Sequence, residues 1–277
     1  MRPVFIPNFI KNCWQSGLST INKTAIIKSN YAKLLKGNPT VSIVIPAYNE
    51  AANILQTLLS LTSNTTTYSV EIVVVNNNSK DATEALVTAS GVICINELQP
   101  GITAARTAGL MAAKGKFILN ADADTIYPEN WITLMVQPLE STDVALTYGR
   151  FAFIPVANTG RFTYFFYEYI TDIVRFAKRY LKDEAVNVYG FNSGYKREQG
   201  LSVDAYQHPP GSNEDGYLAL KLRDKGFGKL HCVTNIKAMV WTTDRRIQTD
   251  GGLLKASTDR LKKLVLPGKE IVVRSDL

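Results

Sequence analysis

From residue 41 onward, short runs of β-branched residues alternate with longer stretches of helical spacing. Residues 41–45 form the first run, closed by Pro46, and residues 49–61 repeat apolar positions at the spacing of a helix. Residues 71–75, 92–95 and 116–119 predict three more strands, with helices predicted over 80–89 and 101–113. Strands alternating with helices of this length imply right-handed crossovers and a largely parallel sheet covered on both faces. Before residue 41 the pattern is weak and ends in the breaker Gly37-Asn38-Pro39. Further on, residues 161–180 are rich in aromatics. At helical spacing Phe162, Phe165, Phe166, Tyr169, Ile173 and Phe176 share one broad face. Packing on the sheet is the ordinary expectation for such a face; an interfacial contact with lipid, or a homodimer contact, is the sharper one.

Open parallel sheets bind ligands beyond the carboxyl ends of their strands. Here those ends read Pro46-Ala47-Tyr48-Asn49-Glu50, Asn76-Asn77-Asn78-Ser79 and Asp122-Ala123-Asp124. The first turn has no glycine, so neither a dinucleotide fingerprint nor a phosphate-cradling P-loop is present. Paired aspartates at a strand end suit a hard divalent cation shared with substrate phosphates, although Asp also caps helices.

The ordered motifs carry more than any one of them. Residues 41–50, 73–83, 101–109 and 122–125, then Ser212-Asn213-Glu214-Asp215-Gly216 and Thr242-Thr243-Asp244-Arg245-Arg246, resemble the family 2 glycosyltransferases of the GT-A fold. The resemblance covers roughly residues 41–250. It implies an α/β, GT-A-like (Rossmann-like) domain with a mainly parallel sheet flanked by helices. It also implies inverting transfer of a sugar from a nucleotide diphosphate sugar to an acceptor hydroxyl, in glycan, polysaccharide or glycolipid synthesis. By match to the family motifs, Pro46, Tyr48, Glu50, Asn77, Arg106 and Asp122 contact the nucleotide. Asp124, with Asp122, holds Mn²⁺ or Mg²⁺, and Asp215 is the catalytic base. Asn192, Ser193 and Gly194, with Glu214, match the loop near acceptor and donor sugar, and Arg245 and Arg246 match a basic loop closing over the diphosphate.

These residue types suit that chemistry. A cation offsets charge on a departing diphosphate, and an acceptor hydroxyl needs one carboxylate to take its proton. The chain departs from the family where Asn76-Asn77-Asn78 replaces the usual acidic pair and glycine. An amide donates as well as accepts, which leaves the base open; Asn78 still tolerates a left-handed conformation. A catalytically silent sugar-nucleotide or partner-binding module is the alternative from another class. A nucleotidyltransferase would need a glycine- and lysine-rich first loop.

Composition narrows the classes further. Of 277 residues, 45% are apolar and 20% charged, enough to bury a core. Three scattered cysteines indicate no disulfide framework, and two histidines leave little for a His-built metal cage. The net charge of +7 sits at the ends: residues 1–40 hold six basic residues and no acid, whereas 41–244 is mildly acidic. Nucleic acid is therefore not the expected partner; an anionic surface or acceptor is. No run of about 18 apolar residues suggests a membrane span, and no secretory signal is evident. The expected organisation is a basic N-terminal extension (1–40), a transferase domain (41–250, divided near 125 into nucleotide and acceptor halves) and a C-terminal extension (251–277). The expected setting is cytoplasmic, peripheral on the inner membrane face.

Overall fold

The computed structural model describes residues 2–156, 159–249, 252–253 and 255. Two helices, α1 (Asn8–Trp14) and α2 (Thr20–Leu34), precede β1 (Val41–Ala47), α3 (Ile54–Thr62), β2 (Val70–Asn76), α4 (Thr83–Ala89), β3 (Ile93–Asn96), α5 (Ile102–Ala112) and β4 (Phe117–Asn120). The expected alternation is present. α3 begins at Ile54 rather than at Asn49, because Asn49 adopts a left-handed conformation (φ 55°) and the chain turns before the helix starts. The second half comprises β5 (Thr125–Ile126), α6 (Trp131–Val136), β6 (Val144–Gly149), β7 (Phe151–Ile154), α7 (Arg161–Leu181), β8 (Ser193–Lys196), α8 (Arg197–Leu201), α9 (Glu214–Asp224), β9 (Lys229–Val233), β10 (Val240–Thr243) and α10 (Arg245–Thr249).

Seven strands form the main sheet in the order β3-β2-β1-β4-β8-β6-β9. Pairing is parallel throughout except at β8, which runs antiparallel to β4 and β6. β1 lies in register with β2 (Val41 opposite Val70) and with β4 (Val41 opposite Phe117). A second sheet, β5-β10-β7, stands beside the cleft.

The period of two divides the central strands between two cores. Ile43, Ile45, Ile72 and Val74 belong to one, with Leu58 of α3 and Trp131 and Met135 of α6. Val44, Val73 and Val75 face the other, with Leu110 of α5 and Leu218 and Leu222 of α9. Each such buried side chain contributes about 1.5–3 kcal/mol. α5 approaches closely because Gly109 lacks a side chain: a Cβ there would lie 2.3 Å from Val44 Cγ1.

Two features differ from the sequence pattern. The weakly patterned N-terminal stretch contributes Ile10, Cys13, Ile27, Tyr31 and Leu34 to the first core. Ser19 caps α2 by accepting from the Asn22 N–H, and the Ile72 N–H donates to the Tyr31 hydroxyl. The second concerns α7. It forms where expected, but its aromatic face does not pack on the sheet: Phe162, Phe166, Ile173 and Phe176 are 53–68% exposed. Tyr164, Tyr167, Glu168, Thr171 and Arg175 turn inward instead. Distant charges hold this rotation. Arg2 pairs with Glu168 (3.1 Å) and Asp172 (2.7 Å), Arg161 pairs with Glu168 (2.8 Å), and the Phe153 N–H donates to Glu168 at 2.7 Å. Rolling the aromatics inward would strand these ions, and an unpaired buried charge costs about 3–5 kcal/mol.

Candidate active site

The loops at the carboxyl ends of β1 and β2 pin each other. The Asn49 N–H donates to Ser79 Oγ (3.0 Å), the Lys80 N–H to Asn49 Oδ1 (2.7 Å), and the Glu50 N–H to Thr83 Oγ1 (2.8 Å). Asn78, like Asn49, is left-handed (φ 63°), as its replacement of glycine requires. Beside these loops opens a cleft of about 1630 Å³. Pro46, exposed Tyr48, Glu50, Asn77, Arg106, Asp122, Asp124, Glu214, Asp215 and Arg245 all line it. Residues far apart in sequence thus share one cavity, with a second wall of Phe151, Phe153, Tyr189 and Phe191.

Arg106 is the hub of this site. It projects from α5, is 2% exposed, and donates to Asp122 Oδ1 (3.0 Å) and the Gly190 carbonyl (3.3 Å). Its Nε lies 3.6 Å from Asp215 Oδ1 and 4.0 Å from Glu214 Oε1. Burial works against this charge, but Asp215, Asp122 and Glu214 outweigh it and raise the guanidinium's pKa. Asp215 stands in the first turn of α9, whose N-cap Asn213 accepts from the Gly216 N–H. Burial pushes its carboxyl from 3.8 up to about 7; Arg106 opposes the rise, while Glu214 and Asp122 add to it. Its buried Oδ1 makes no hydrogen bond. Gly190 makes this arrangement possible: a Cβ there would lie 2.1 Å from Arg106 Nη2 and 2.3 Å from Asp215 Oδ2.

The carboxylates at the end of β4 are hard oxygen donors. Arg245 lies 3.0 Å from Glu50 Oε1 and 3.1 Å from Asp124 Oδ2, so a positive charge already sits against Asp124. Among the described residues no three potential ligands converge. With Asp122 paired to Arg106 and Asp124 to Arg245, a cation held by these two carboxylates would displace Arg245 and complete its shell with substrate phosphate and water, the usual arrangement for Mg²⁺.

Other expected residues lie elsewhere. Asn192 is buried, accepting from Trp131 Nε1 (2.8 Å) and donating to the Arg150 carbonyl (2.8 Å). Ser193 is buried and accepts from Asn120 Nδ2 at 3.1 Å; Gly194 pairs with Leu119 inside the sheet. None of the three lines the cleft: β8 carries Ser193 and Gly194 into the sheet, and Asn192, in the 3-10 turn just before it, is held by Trp131 and Arg150. Asn77 lines the cleft, but its amide is largely used by its own framework. It donates to the carbonyls of Glu97 (2.9 Å) and Gln99 (2.7 Å) and accepts from the Gly101 N–H (2.9 Å). A base would meet only the remaining lone pair of its oxygen. The Arg246 side chain lies outside the described residues, as do Gly251 and nearly all of the C-terminal extension. Sequence reasoning missed Tyr127, whose hydroxyl accepts from the Asp122 N–H (2.9 Å) and donates to the Phe191 carbonyl (3.0 Å). It also missed His208, which lines the cleft 3.1 Å from Thr103 Oγ1. Neither carries a local sequence signal.

A mainly parallel sheet flanked by helices, with a cleft over its carboxyl edge, is the GT-A architecture shared with solved glycosyltransferases. The chain belongs to glycosyl transferase family 2, whose family model matches residues 42–199. It is similar to the glycosyltransferase AglE of Haloferax volcanii, 34% identical over 122 residues, covering 42% of this chain and 40% of that protein. It is also similar to WfaP of Escherichia coli, described as a UDP-Glc:alpha-D-GlcNAc-diphosphoundecaprenol beta-1,3-glucosyltransferase, 31% identical over 115 residues, covering 40% of this chain and 45% of that protein. The chain thus matches less than half the length of either relative. Among solved structures, the mannosyltransferase PcManGT of Pyrobaculum calidifontis, in complex with GDP-Man and Mn²⁺, superposes with a TM-score of 0.59 at 17% identity, covering 95% of this chain and 77% of that one. The glucosyl-3-phosphoglycerate synthase of Mycobacterium tuberculosis, in complex with Mn²⁺, UDP-Glc and phosphoglyceric acid, gives 0.55 at 20% identity, covering 89% and 85%.

Proposed function

We propose that this protein transfers a hexosyl group from a nucleotide diphosphate sugar to an acceptor hydroxyl, with inversion at the anomeric carbon and Asp215 as general base. The observation that carries this reading is Asp215 itself: a buried carboxyl in the cleft, with one oxygen making no hydrogen bond and a pKa raised to about 7. A base poised near working pH takes a proton most effectively. The acceptor O–H proton passes to Asp215 as the acceptor oxygen bonds to the anomeric carbon. The bond from that carbon to the diphosphate breaks in the same displacement, and its electron pair leaves with the phosphate. One carboxylate suffices for a single displacement, unlike the two of a glycoside hydrolase.

Arg106 ties the base to Asp122, so the two ends of the reaction share one buried cation. Tyr48 offers an exposed ring to the nucleoside, and Arg245 is a positive group able to turn from Asp124 toward the diphosphate. Asp122 and Asp124 would hold a divalent cation, which when bound offsets charge on the departing diphosphate. The Mn²⁺ and sugar nucleotides bound by the structural neighbours support this assignment. The lipid-linked acceptor in the description of WfaP supports a glycolipid among the candidate acceptors.

The test is Asp215→Asn assayed for transfer from UDP-, dTDP- and GDP-sugars with Mn²⁺. Loss of transfer with retained nucleotide binding is expected. A wild-type protein that binds donor and transfers to no acceptor would instead be a sugar-nucleotide-binding module, and lack of stabilisation by any nucleotide diphosphate would sink both readings.

A further inference from the structure

We propose that the outward face of α7 docks on an anionic lipid bilayer, with the helix lying flat at the headgroup boundary. Its 21 residues span about 30 Å at 1.5 Å per residue. Along that length Phe162, Phe166, Ile170, Ile173, Phe176 and Tyr180 are each more than half exposed. Single exposed apolar residues are common; an aromatic row on one helix face marks an interaction surface. Phe5 is a further exposed aromatic (82%), in an N-terminal segment held against α7 by the Arg161 hydrogen bond to the Pro3 carbonyl (2.9 Å).

Charge selects the occupant. Both acids of α7 turn toward the protein, where Arg2, Arg150 and Arg161 neutralise them. The charges that α7 and the residue after it present outward are basic, Arg179 (also 3.3 Å from Glu184) and Lys182. At the opposite end Lys11 of α1 lies beside Phe5 in the same groove. An apolar row flanked by cations complements anionic headgroups over acyl chains. A second copy of the same face would bring no carboxylate of α7 to meet Arg179 or Lys182. The helix lies on the membrane rather than across it, since among the described residues no helix is long and apolar enough to span.

This surface is close to the cleft. Phe153 lines the cleft, and its ring packs on Tyr164 (5.1 Å) and Tyr167 (6.2 Å) of the inner side of α7. α7 itself is therefore the element between the aromatic wall of the cleft and the docked face. That placement, taken with the transferase reading on which it rests, suits an acceptor hydroxyl carried by a lipid.

The test is flotation of the full chain with phosphatidylcholine vesicles, with and without phosphatidylglycerol, at low and high salt. Wild type is expected to float with the anionic vesicles only. Phe166→Glu with Ile173→Glu should weaken binding about ten-fold or more, and Arg179→Glu with Lys182→Glu should lower it chiefly at low salt. Nucleotide diphosphate binding should stay unchanged in both, and loss of the half-exposed Arg179–Glu184 pair should lower stability by no more than about 1 kcal/mol, so failure of docking is separable from failure of the cleft chemistry. Hydrogen exchange on wild type needs no variant, and vesicles should protect residues 162–181. Wild type left unbound at low salt, flotation without that protection, or a dimer split by the Phe166/Ile173 variant in place of vesicle binding would overturn the proposal.

Discussion

Asp215→Asn separates the proton from the shape of the base. Asp215 is 4% exposed, and burial raises its pKa from 3.8 to about 7 against the pull of Arg106. Between those values the folded protein binds more protons than the unfolded chain. The stability this carboxyl contributes is therefore complete below 3.8 and is lost as pH rises through 7. Three units at ~1.36 kcal/mol each give about 4 kcal/mol over the whole window, roughly 2 kcal/mol of it between pH 5 and 7. Asn does not titrate, and the two proteins share every other ionisable group. Wild-type stability measured against the variant should thus fall by roughly 2–3 kcal/mol from pH 5 to 8, or about 4–12 °C in Tm for a chain this long. Paired thermal melts across that range read the difference directly. The same titration should appear as a rising limb near pH 7 in kcat/KM, which reports the free enzyme, and the variant should lose about 10²–10⁴ of the rate. A stability difference flat with pH would mean that Arg106 keeps Asp215 ionised throughout, which refutes the raised pKa and the rising limb together.

Other substitutions probe the hub and its surroundings. Arg106→Met leaves three carboxylates around an empty centre; urea unfolding should show a loss of about 3–5 kcal/mol, and kcat/KM should rise at higher pH because the group that lowers the Asp215 pKa is gone. Gly190→Ala drives a methyl into Arg106 and Asp215, so transfer should drop about ten-fold or more while circular dichroism stays native; wild-type turnover would refute the need for a bare backbone there. Arg245→Ala removes a half-exposed pair and should change stability by no more than about 1 kcal/mol. It should also tighten Mn²⁺ binding in calorimetry without nucleotide, and unchanged affinity would show that Arg245 does not compete at Asp124.

The β/α alternation was legible because buried parallel strands read as β-branched runs, and the cleft was legible because such sheets expose polar residues at their carboxyl ends. Pro46, Tyr48, Glu50, Asp122 and Asp124 reach one cavity for that reason, whereas Asp215, in the first turn of α9, was legible only through the family resemblance. The role of residues 192–194 was not legible. A polar, glycine-rich stretch before a helix reads the same whether it faces solvent or pairs as an antiparallel strand; the pairing of β8 with β4 and β6 decides for Ser193 and Gly194, and the distant Trp131 and Arg150 for Asn192. The helicity of α2 had a signal, Ile27, Tyr31 and Leu34 at helical spacing, but three apolar positions among lysines and asparagines make a narrow stripe.

α7 shows where periodicity stops being informative. Its spacing specifies a helix with an aromatic face, and hydrophobic burial alone would turn that face inward. The opposite rotation is set by Glu168 and Asp172, whose chief partner, Arg2, lies more than 160 residues away in sequence. A hydrophobic pattern records what a face prefers, whereas these buried ions record what the rest of the chain demands of it. Each inward carboxylate removes a negative charge from the exposed side, so one set of ion pairs both forces the aromatics out and leaves their surroundings basic. The rotation and the charge of the docking face therefore share one cause. Replacing Arg2 should disturb both at once, whereas substitutions on the aromatic row should change adhesion and leave the helix where it is.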